Sequence, residues 1–248
     1  FHPTDANTIF AGTPAGGIWK TTNGGVSWFP ISAFLPSLGV SGLVISYANT
    51  NVLYALTGDG DSFIPGGLVY GFGYHRPSMG VYKSTDGGAS WQPTGSFEID
   101  GIWVGYKLIQ HPSNANTLFA ATSKGIYRTL NGGATWEQVL QRGFCDDIEF
   151  HPTNANILYT SGDNNVVSYS TDGGSNWQNS TYTTSFPSNA DRIEIAVSPA
   201  NSNTVYLLCG SGTGFYRFYR STNSGVNFTL VAESSEVPNI LGRAEDGD

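Results

Sequence analysis

An all-β fold assembled from a repeated unit of four antiparallel strands is what this 248-residue sequence predicts, and three observations carry that expectation. An eight-residue segment closing on an aromatic residue recurs five times. A second segment, a Pro/Asn-containing turn that runs into a strand, precedes each copy of the first. The composition, with 32 Gly and only 12% charged residues among abundant Asn, Ser and Thr, is that of a chain with many tight turns.

The eight-residue copies are Thr21–Trp28, Ser84–Trp91, Thr129–Trp136, Ser170–Trp177 and Ser221–Phe228, and the second copy reads Ser-Thr-Asp-Gly-Gly-Ala-Ser-Trp. The closing aromatics are separated by 63, 45, 41 and 51 residues, a period that signals a repeat architecture. The third position is Asn23, Asp86, Asn131, Asp172 or Asn223. A short Asx side chain there accepts bonds from backbone N–H groups ahead of it and holds a turn. Gly at the fifth position allows a backbone conformation that a β-carbon penalises. The final Trp or Phe restarts a strand and is expected to bury a large apolar surface. A β-branched and aromatic strand stands before each turn, as in Gly80-Val81-Tyr82-Lys83, so each copy is a hairpin.

The second repeat comprises residues 2–11, 46–55, 111–120, 151–160 and 198–207, as in His111-Pro112-Ser113-Asn114-Ala115-Asn116-Thr117-Leu118-Phe119-Ala120. Another strand precedes it, at residues 42–46, 104–110, 147–150 and 192–197. Each repeat therefore reads as strands a to d, and four antiparallel strands in roughly 45 residues make one β-propeller blade. The blades are placed at 1–38, 39–101, 102–144, 145–190 and 191–235, with 236–248 leading onward, in a single β-propeller domain or part of one. Phe1-His2-Pro3 reads as the tail of a strand a whose body is missing. The expectation is five visible blades of a propeller of seven or more.

The eight-residue segment resembles the Asp-box, or bacterial neuraminidase, repeat S/T-x-D-x-G-x-T/S-W. The resemblance spans nearly the whole chain. It implies a β-propeller in which the boxes link the third and fourth strands of each blade, as in sialidases, xyloglucan-specific glycoside hydrolases and sortilin-type receptors. Asn in place of Asp in three copies keeps the turn bonds. The repeats are also similar to those of large secreted or surface-attached bacterial proteins, many from the Bacteroidetes group and ending in a type IX secretion sorting domain. That resemblance implies a secreted or cell-surface location, with further blades and a C-terminal domain on the same polypeptide.

A net charge of −8 with 11 Lys plus Arg argues against nucleic acid and against an anionic membrane surface, both of which need basic patches. No apolar run approaches the ~20 residues that span a bilayer, so no membrane insertion is expected. Cys145 and Cys209 are read as buried free thiols; their separation in sequence leaves a bridge open.

Because strands alternate in direction, the a–b turns and the boxes share one face, and the b–c and d–a loops share the other. His2, His111 and His151 recur at one position in the a–b turn and are read as turn residues, and the box carboxylates as turn-formers. Function is therefore expected on the opposite face. A 21-residue b–c loop in the second blade, residues 58–78, is rich in aromatics, and loops of that length are commonly functional. Candidate ligand-binding residues are Tyr70, Phe72, Tyr74, His75, Arg76, Trp103, Arg142, Asp191 and Arg192. Glu98, Asp100, Asp146 and Asp163 complete the polar set. Asp59-Gly60-Asp61 is the candidate for a Ca²⁺, which takes carboxylate and carbonyl oxygens, although the full calcium-loop pattern is absent. No other cofactor is expected.

Two functions remain. The first is a non-catalytic module that binds an extracellular protein or glycan. The second is a glycoside hydrolase, sialidase- or xyloglucanase-like, with carboxylates at the central channel. Hydrolysis needs two carboxyls about 5–9.5 Å apart, one of them held protonated. No spacing in the chain singles out such a pair, and no catalytic residue is assigned. The Phe/Tyr-Arg-Ile-Pro segment of sialidases and the Arg-Thr-Asp-Val-Gly-Gly stretch of the xyloglucanases are both missing.

Overall fold

The computed structural model describes residues 1–33, 35–60, 78–95, 104–183, 186–212 and 214–237. The chain forms two compact units, Phe1–Gln141 and Arg142–Asp248. The first unit holds three sheets. They are β1 (Ile9–Gly12), β2 (Ile18–Thr21) and β3 (Phe29–Pro30); then β4 (Val40–Ile45), β5 (Leu53–Thr57), β6 (Val81–Ser84) and β7 (Gln92–Pro93); then β8 (Gly105–Gln110), β9 (Leu118–Thr122), β10 (Gly125–Thr129) and β11 (Glu137–Gln141). The second unit holds β12 (Cys145–Phe150), β13 (Leu158–Gly162), β14 (Val166–Ser170) and β15 (Gln178–Asn179), followed by β16 (Thr181–Tyr182), β17 (Arg192–Val197), β18 (Val205–Ser211), β19 (Gly214–Ser221) and β20 (Asn227–Glu233). Strands run in chain order across four of the five sheets and across β17–β20 of the fifth, and each of those neighbouring pairs is antiparallel, so each sheet is a propeller blade. The first blade shows only strands b to d, as its sequence predicts. No helix among the described residues is long and apolar enough to cross a membrane.

The boxes explain why the hairpins close where they do. The hydroxyl at the first position is buried and donates to the third-position side chain, as in Ser84 Oγ to Asp86 Oδ1 at 2.7 Å and Thr129 Oγ1 to Asn131 Oδ1 at 2.9 Å. The same hydroxyl accepts from the fifth-position N–H, at 2.9 Å for Gly88 and 3.0 Å for Gly133. The third-position oxygen then accepts the seventh-position N–H, at 2.9 Å for both Ser90 and Thr135. Asp and Asn are interchangeable because the seventh residue adapts. The Ser90 hydroxyl donates to Asp86 Oδ2 at 2.5 Å, whereas Asn23 Nδ2 donates to Ser27 Oγ and Asn131 Nδ2 to Thr135 Oγ1, both at 2.9 Å. The need for glycine extends further than the sequence suggests. Both the fourth and fifth positions take positive φ, such as 71° and 94° at Gly87 and Gly88, and Ser224 bears φ 56° without being glycine.

The shared face of the two repeats is visible as one bond made in every blade. The fourth-position N–H donates to the a–b turn carbonyl: Gly24 to Asn7, Gly87 to Asn51, Gly132 to Asn116, Gly173 to Asn156 and Ser224 to Asn203, all at 2.8–2.9 Å. The recurrent histidines cap that turn. Nδ1 of His111 accepts from the Ser113 and Asn114 N–H groups at 3.2 and 3.1 Å, and His151 does the same for Thr153 and Asn154. Burial lowers both imidazole pKa values, which keeps the accepting nitrogen free of a proton.

Bonds to Ser90, then to Ser84, hold the Asp86 carboxyl down at about 2, and bonds to Asn176, then to Ser170, do the same for Asp172. A depressed folded pKa contributes stability that is present above the unfolded value of about 4 and lost as pH falls toward 2. The variant Asp86→Asn/Asp172→Asn is therefore expected to match the parent's melting temperature at pH 7 and to lose less of it between pH 5 and 2. Melting curves across that range check this; parallel curves for the two proteins would contradict it.

Neighbouring blades interlock through the boxes. The Trp91 indole N–H donates to the Ile31 carbonyl at 2.8 Å, and that of Trp136 donates to Thr94 Oγ1 at 3.0 Å, each in the preceding blade. Trp28 departs from the expectation of burial. It is 39% exposed and its N–H turns back to Gly25 of its own box, as that of the half-buried Trp177 does to Gly174. A second departure concerns the blade boundary at 190. The segment β16 leaves the fourth blade and pairs in parallel with β20, making a five-stranded fifth sheet. Backbone bonds from Thr181 to Val226 and from Thr183 to Phe228, each 2.9 Å, close the outer edge of that blade, where an open strand would otherwise present unpaired groups. Sequence patterning could not show this, since two residues carry no periodicity. Elsewhere the outer strands β3 and β7 end at Pro30 and Pro93, with one further backbone bond beyond each, Ile31 to Ile18 and Thr94 to Val81, both at 2.9 Å.

Candidate functional site

Two of the residues that the sequence assigns to the non-box face, Asp146 and Arg192, stand in first strands of blades, and a backbone irregularity falls at Asp146. The pairing of β4, β8 and β12 with the following strand shifts register between Val40 and Gly42, between Gly105 and Lys107, and between Cys145 and Asp147. The extra residue of each bulge is Ser41, Tyr106 or Asp146. Bulges re-aim a side chain and cluster beside functional sites. In the second unit the bulge brings Asp146 to the end of β12 beside β17, which packs against it.

Asp147 is buried and locks this arrangement. One carboxylate oxygen accepts the Ile148 N–H at 2.8 Å and the other accepts the Ile195 N–H of β17 at 2.7 Å. Ser161 Oγ donates to the Ile193 carbonyl at 2.5 Å. The two bonds clamp Ile193 and Ile195, so the alternate residues Arg192 and Glu194 project to the other side, and their ion pair measures 2.5 Å. Asp146 is half-buried. Burial is the main cause that pushes its carboxyl up to about 7; the Glu194, Asp147 and Asp163 charges add to the rise and Arg192 opposes it. This constellation can donate a proton or a hydrogen bond from the Asp146 carboxyl, beside the Arg192–Glu194 ion pair.

The predicted site residues separate as follows. Arg192 lies in this cluster. Asp191 is next to it and its carboxylate accepts the Gly212 N–H at 2.5 Å, which ties the d–a loop to the b–c turn. Arg142 stands ahead of β12, and its guanidinium donates to Ser168 Oγ of β14 and Asn179 Oδ1 of β15, both at 3.0 Å. Asp163 stands in a turn at residues 163–165 and its N–H donates to the Phe144 carbonyl at 2.6 Å. Tyr70, Phe72, Tyr74, His75, Arg76, Glu98, Asp100 and Trp103 lie outside the described residues, as does Asp61 of the candidate calcium pair. Asp59 is described; among the described residues no group of three or more His, Cys, Asp or Glu side chains could hold a metal ion. Glu194 was missed by sequence reasoning because it falls in a strand with buried neighbours, and only the strand alternation marks it as outward. Cys145 and Cys209 are free, buried thiols, and burial pushes each up to about 12. In the first unit a surface pocket of about 280 Å³ lies at the third box between Arg128, Leu130 and Trp136.

With the blades, boxes and interlocking aromatics in view, the family follows. Residues 79–185 and 124–241 match the sortilin–Vps10 family, described as "Sortilin, neurotensin receptor 3", and together these matches cover well over half of the chain. The chain belongs to the sortilin–Vps10 family. Solved structures share its fold. A GH74 enzyme described as ancestral is 22% identical with a TM-score of 0.73, and the match covers 96% of this chain and 31% of that one. The GH74 xyloglucanase from Xanthomonas campestris is 14% identical with a TM-score of 0.66, over 92% of this chain and 38% of that one. The GH74 enzyme from Niastella koreensis is 21% identical with a TM-score of 0.65, over 92% and 36%. This sortilin–Vps10 chain thus spans about a third of the length of these enzymes, and the likeness is one of fold. Comparison with curated protein sequences finds no match.

Proposed function

We propose that this sortilin–Vps10 chain is a non-catalytic recognition propeller, secreted or displayed at the cell surface, that binds an extracellular glycan or protein. The observation that carries this reading is the family, whose description names a receptor. The chemistry of the described residues agrees. The repeated motif residues are consumed by turns and blade contacts. Most charged groups around β12 and β17 are bonded within the protein, and Asp146 with the Arg192–Glu194 ion pair offers a polar surface for hydroxyl or amide groups. Extracellular placement rests on the resemblance to secreted repeat proteins.

A second reading, glycoside hydrolysis, is favoured by one observation: Asp146 is the carboxyl with a raised pKa that such a reaction needs as its acid, and Glu194 is an acidic neighbour. One experiment separates the two. Electrophoresis of the protein through a gel containing xyloglucan is expected to show retardation without release of reducing ends. Arg192→Ala is expected to weaken the retardation and Asp146→Asn to leave reducing-end release at background. Reducing ends that appear with the parent and fall by roughly 10²–10⁴-fold in Asp146→Asn would replace the binding reading with the catalytic one.

A further inference from the structure

The segment that crosses from the fourth blade to the fifth lays Tyr182 into the seam between them. Its ring stacks on Phe228 with centroids 5.9 Å apart and meets Tyr219 and Phe186 edge-to-face at 5.4 and 5.2 Å. Tyr219 and Phe228 share a core cluster with Tyr159 and Val167 of the fourth blade. Arg217 stands on the same face of β19, two residues before Tyr219, and its ladder partners are Cys209 of β18 and Glu233 of β20. Its guanidinium carbon lies 4.8 Å over the Tyr216 ring. Nη1 donates to the Phe186 carbonyl at 3.2 Å and to Tyr219 Oη at 3.4 Å, and Nη2 reaches Glu233 Oε2 at 3.3 Å. Tyr182 and Arg217 therefore share two neighbours, Tyr219 and Phe186, and the buried Cys209 thiol interacts electrostatically with both. All of these residues belong to the second unit.

Two donors in this seam have no acceptor. The Tyr182 hydroxyl and Arg217 Nε are buried and without a hydrogen-bond partner among the described residues. A buried donor left in that state costs free energy, and one acceptor reached by both would satisfy the pair. The surroundings select its chemistry. A water would bring two hydrogens of its own, and the nearby Phe186 carbonyl and Tyr219 hydroxyl are already engaged by Arg217. A cation would face the guanidinium, and Glu233 already takes Arg217 and the Ser235 hydroxyl. A small anion needs donors alone. Here it would meet a hydroxyl, a guanidinium N–H and the positive edges of aromatic rings, and bonds to a charged partner are the stronger kind.

We propose that Tyr182 Oη and Arg217 Nε bind one small monovalent anion, chloride, in the seam between the fourth and fifth blades, where it ties the crossing segment to β19. The site uses none of the residues around Asp146 and does not rest on the recognition reading.

Melting of the 248-residue chain in sodium chloride or bromide, against sodium gluconate at equal ionic strength, tests this. A ligand that binds only the folded state raises the midpoint with its concentration, so both halides are expected to raise it by several degrees over gluconate. Tyr182→Phe keeps the ring and removes the donor. It is expected to be no less stable than the parent in gluconate and to lose the halide effect. Arg217→Lys, which keeps the charge and removes Nε, is expected to lose most of it. Anomalous diffraction from a bromide-soaked crystal should place one peak within hydrogen-bond reach of both atoms. Equal midpoints in chloride and gluconate overturn the proposal, as does a halide effect that survives in both variants. So does a site that scatters as water in bromide, or a bromide peak with no shift in the midpoint, which would be an adventitious ion only.

Discussion

Trp136→Ala and Trp91→Ala are each expected to destabilise their unit by ~3–5 kcal/mol, the range for emptying a buried aromatic site. Trp91 is 3% exposed and Trp136 8% exposed. Each fills the seam between its own blade and the one before, and each indole N–H reaches across that seam to Ile31 or Thr94. The substitution removes packing on two sheets at once and the hydrogen bond across the seam. Trp28→Ala is the internal control. Its indole is 39% exposed and bonds only to its own box, so its loss should be clearly smaller. Urea unfolding of the three variants measures this. Equal losses would mean that the seam contributes nothing beyond ordinary burial.

Asp147→Ala is expected to cost roughly 2–5 kcal/mol, because two backbone N–H groups lose a buried charged acceptor that nothing else can replace. Asp147 is 1% exposed and joins β12 to β17 through the Ile195 N–H, where two leading strands of adjacent blades have no ladder of their own. Asp147→Asn is the more telling variant. It keeps the volume and one acceptor but can turn a donor toward Ile195. Urea unfolding reports the stability, and the NMR titration of Asp146 reports the position of the neighbouring carboxyl. A loss of stability with no change at Asp146 would show that the clamp holds the blades together without shaping the polar cluster.

The fold was legible in the chain because the box and the a–b turn are local chemistry. Ser84, Asp86, Gly88 and Ser90 lie within seven residues and satisfy one another, so their pattern in sequence is already their pattern of bonds. The pairing of the two repeats on one face followed from strand direction alone, and the Gly87–Asn51 bond and its four counterparts are its expression. The candidate site was legible only in part. Asp146, Asp191 and Arg192 could be assigned to one set of loops and strand ends, but which of them meet could not be read.

What the sequence by itself determined, then, was a repeat of four-stranded blades with Asx-held turns, because those turns are closed by bonds between near neighbours. Tertiary structure decided the rest. It set the bulge at Asp146, the clamp of Asp147 on a strand 48 residues away, the joining of Thr181–Tyr182 to the next blade, and which box tryptophans are buried. These depend on which surfaces meet across blades, and a contact between distant segments leaves no periodicity in the residues that make it.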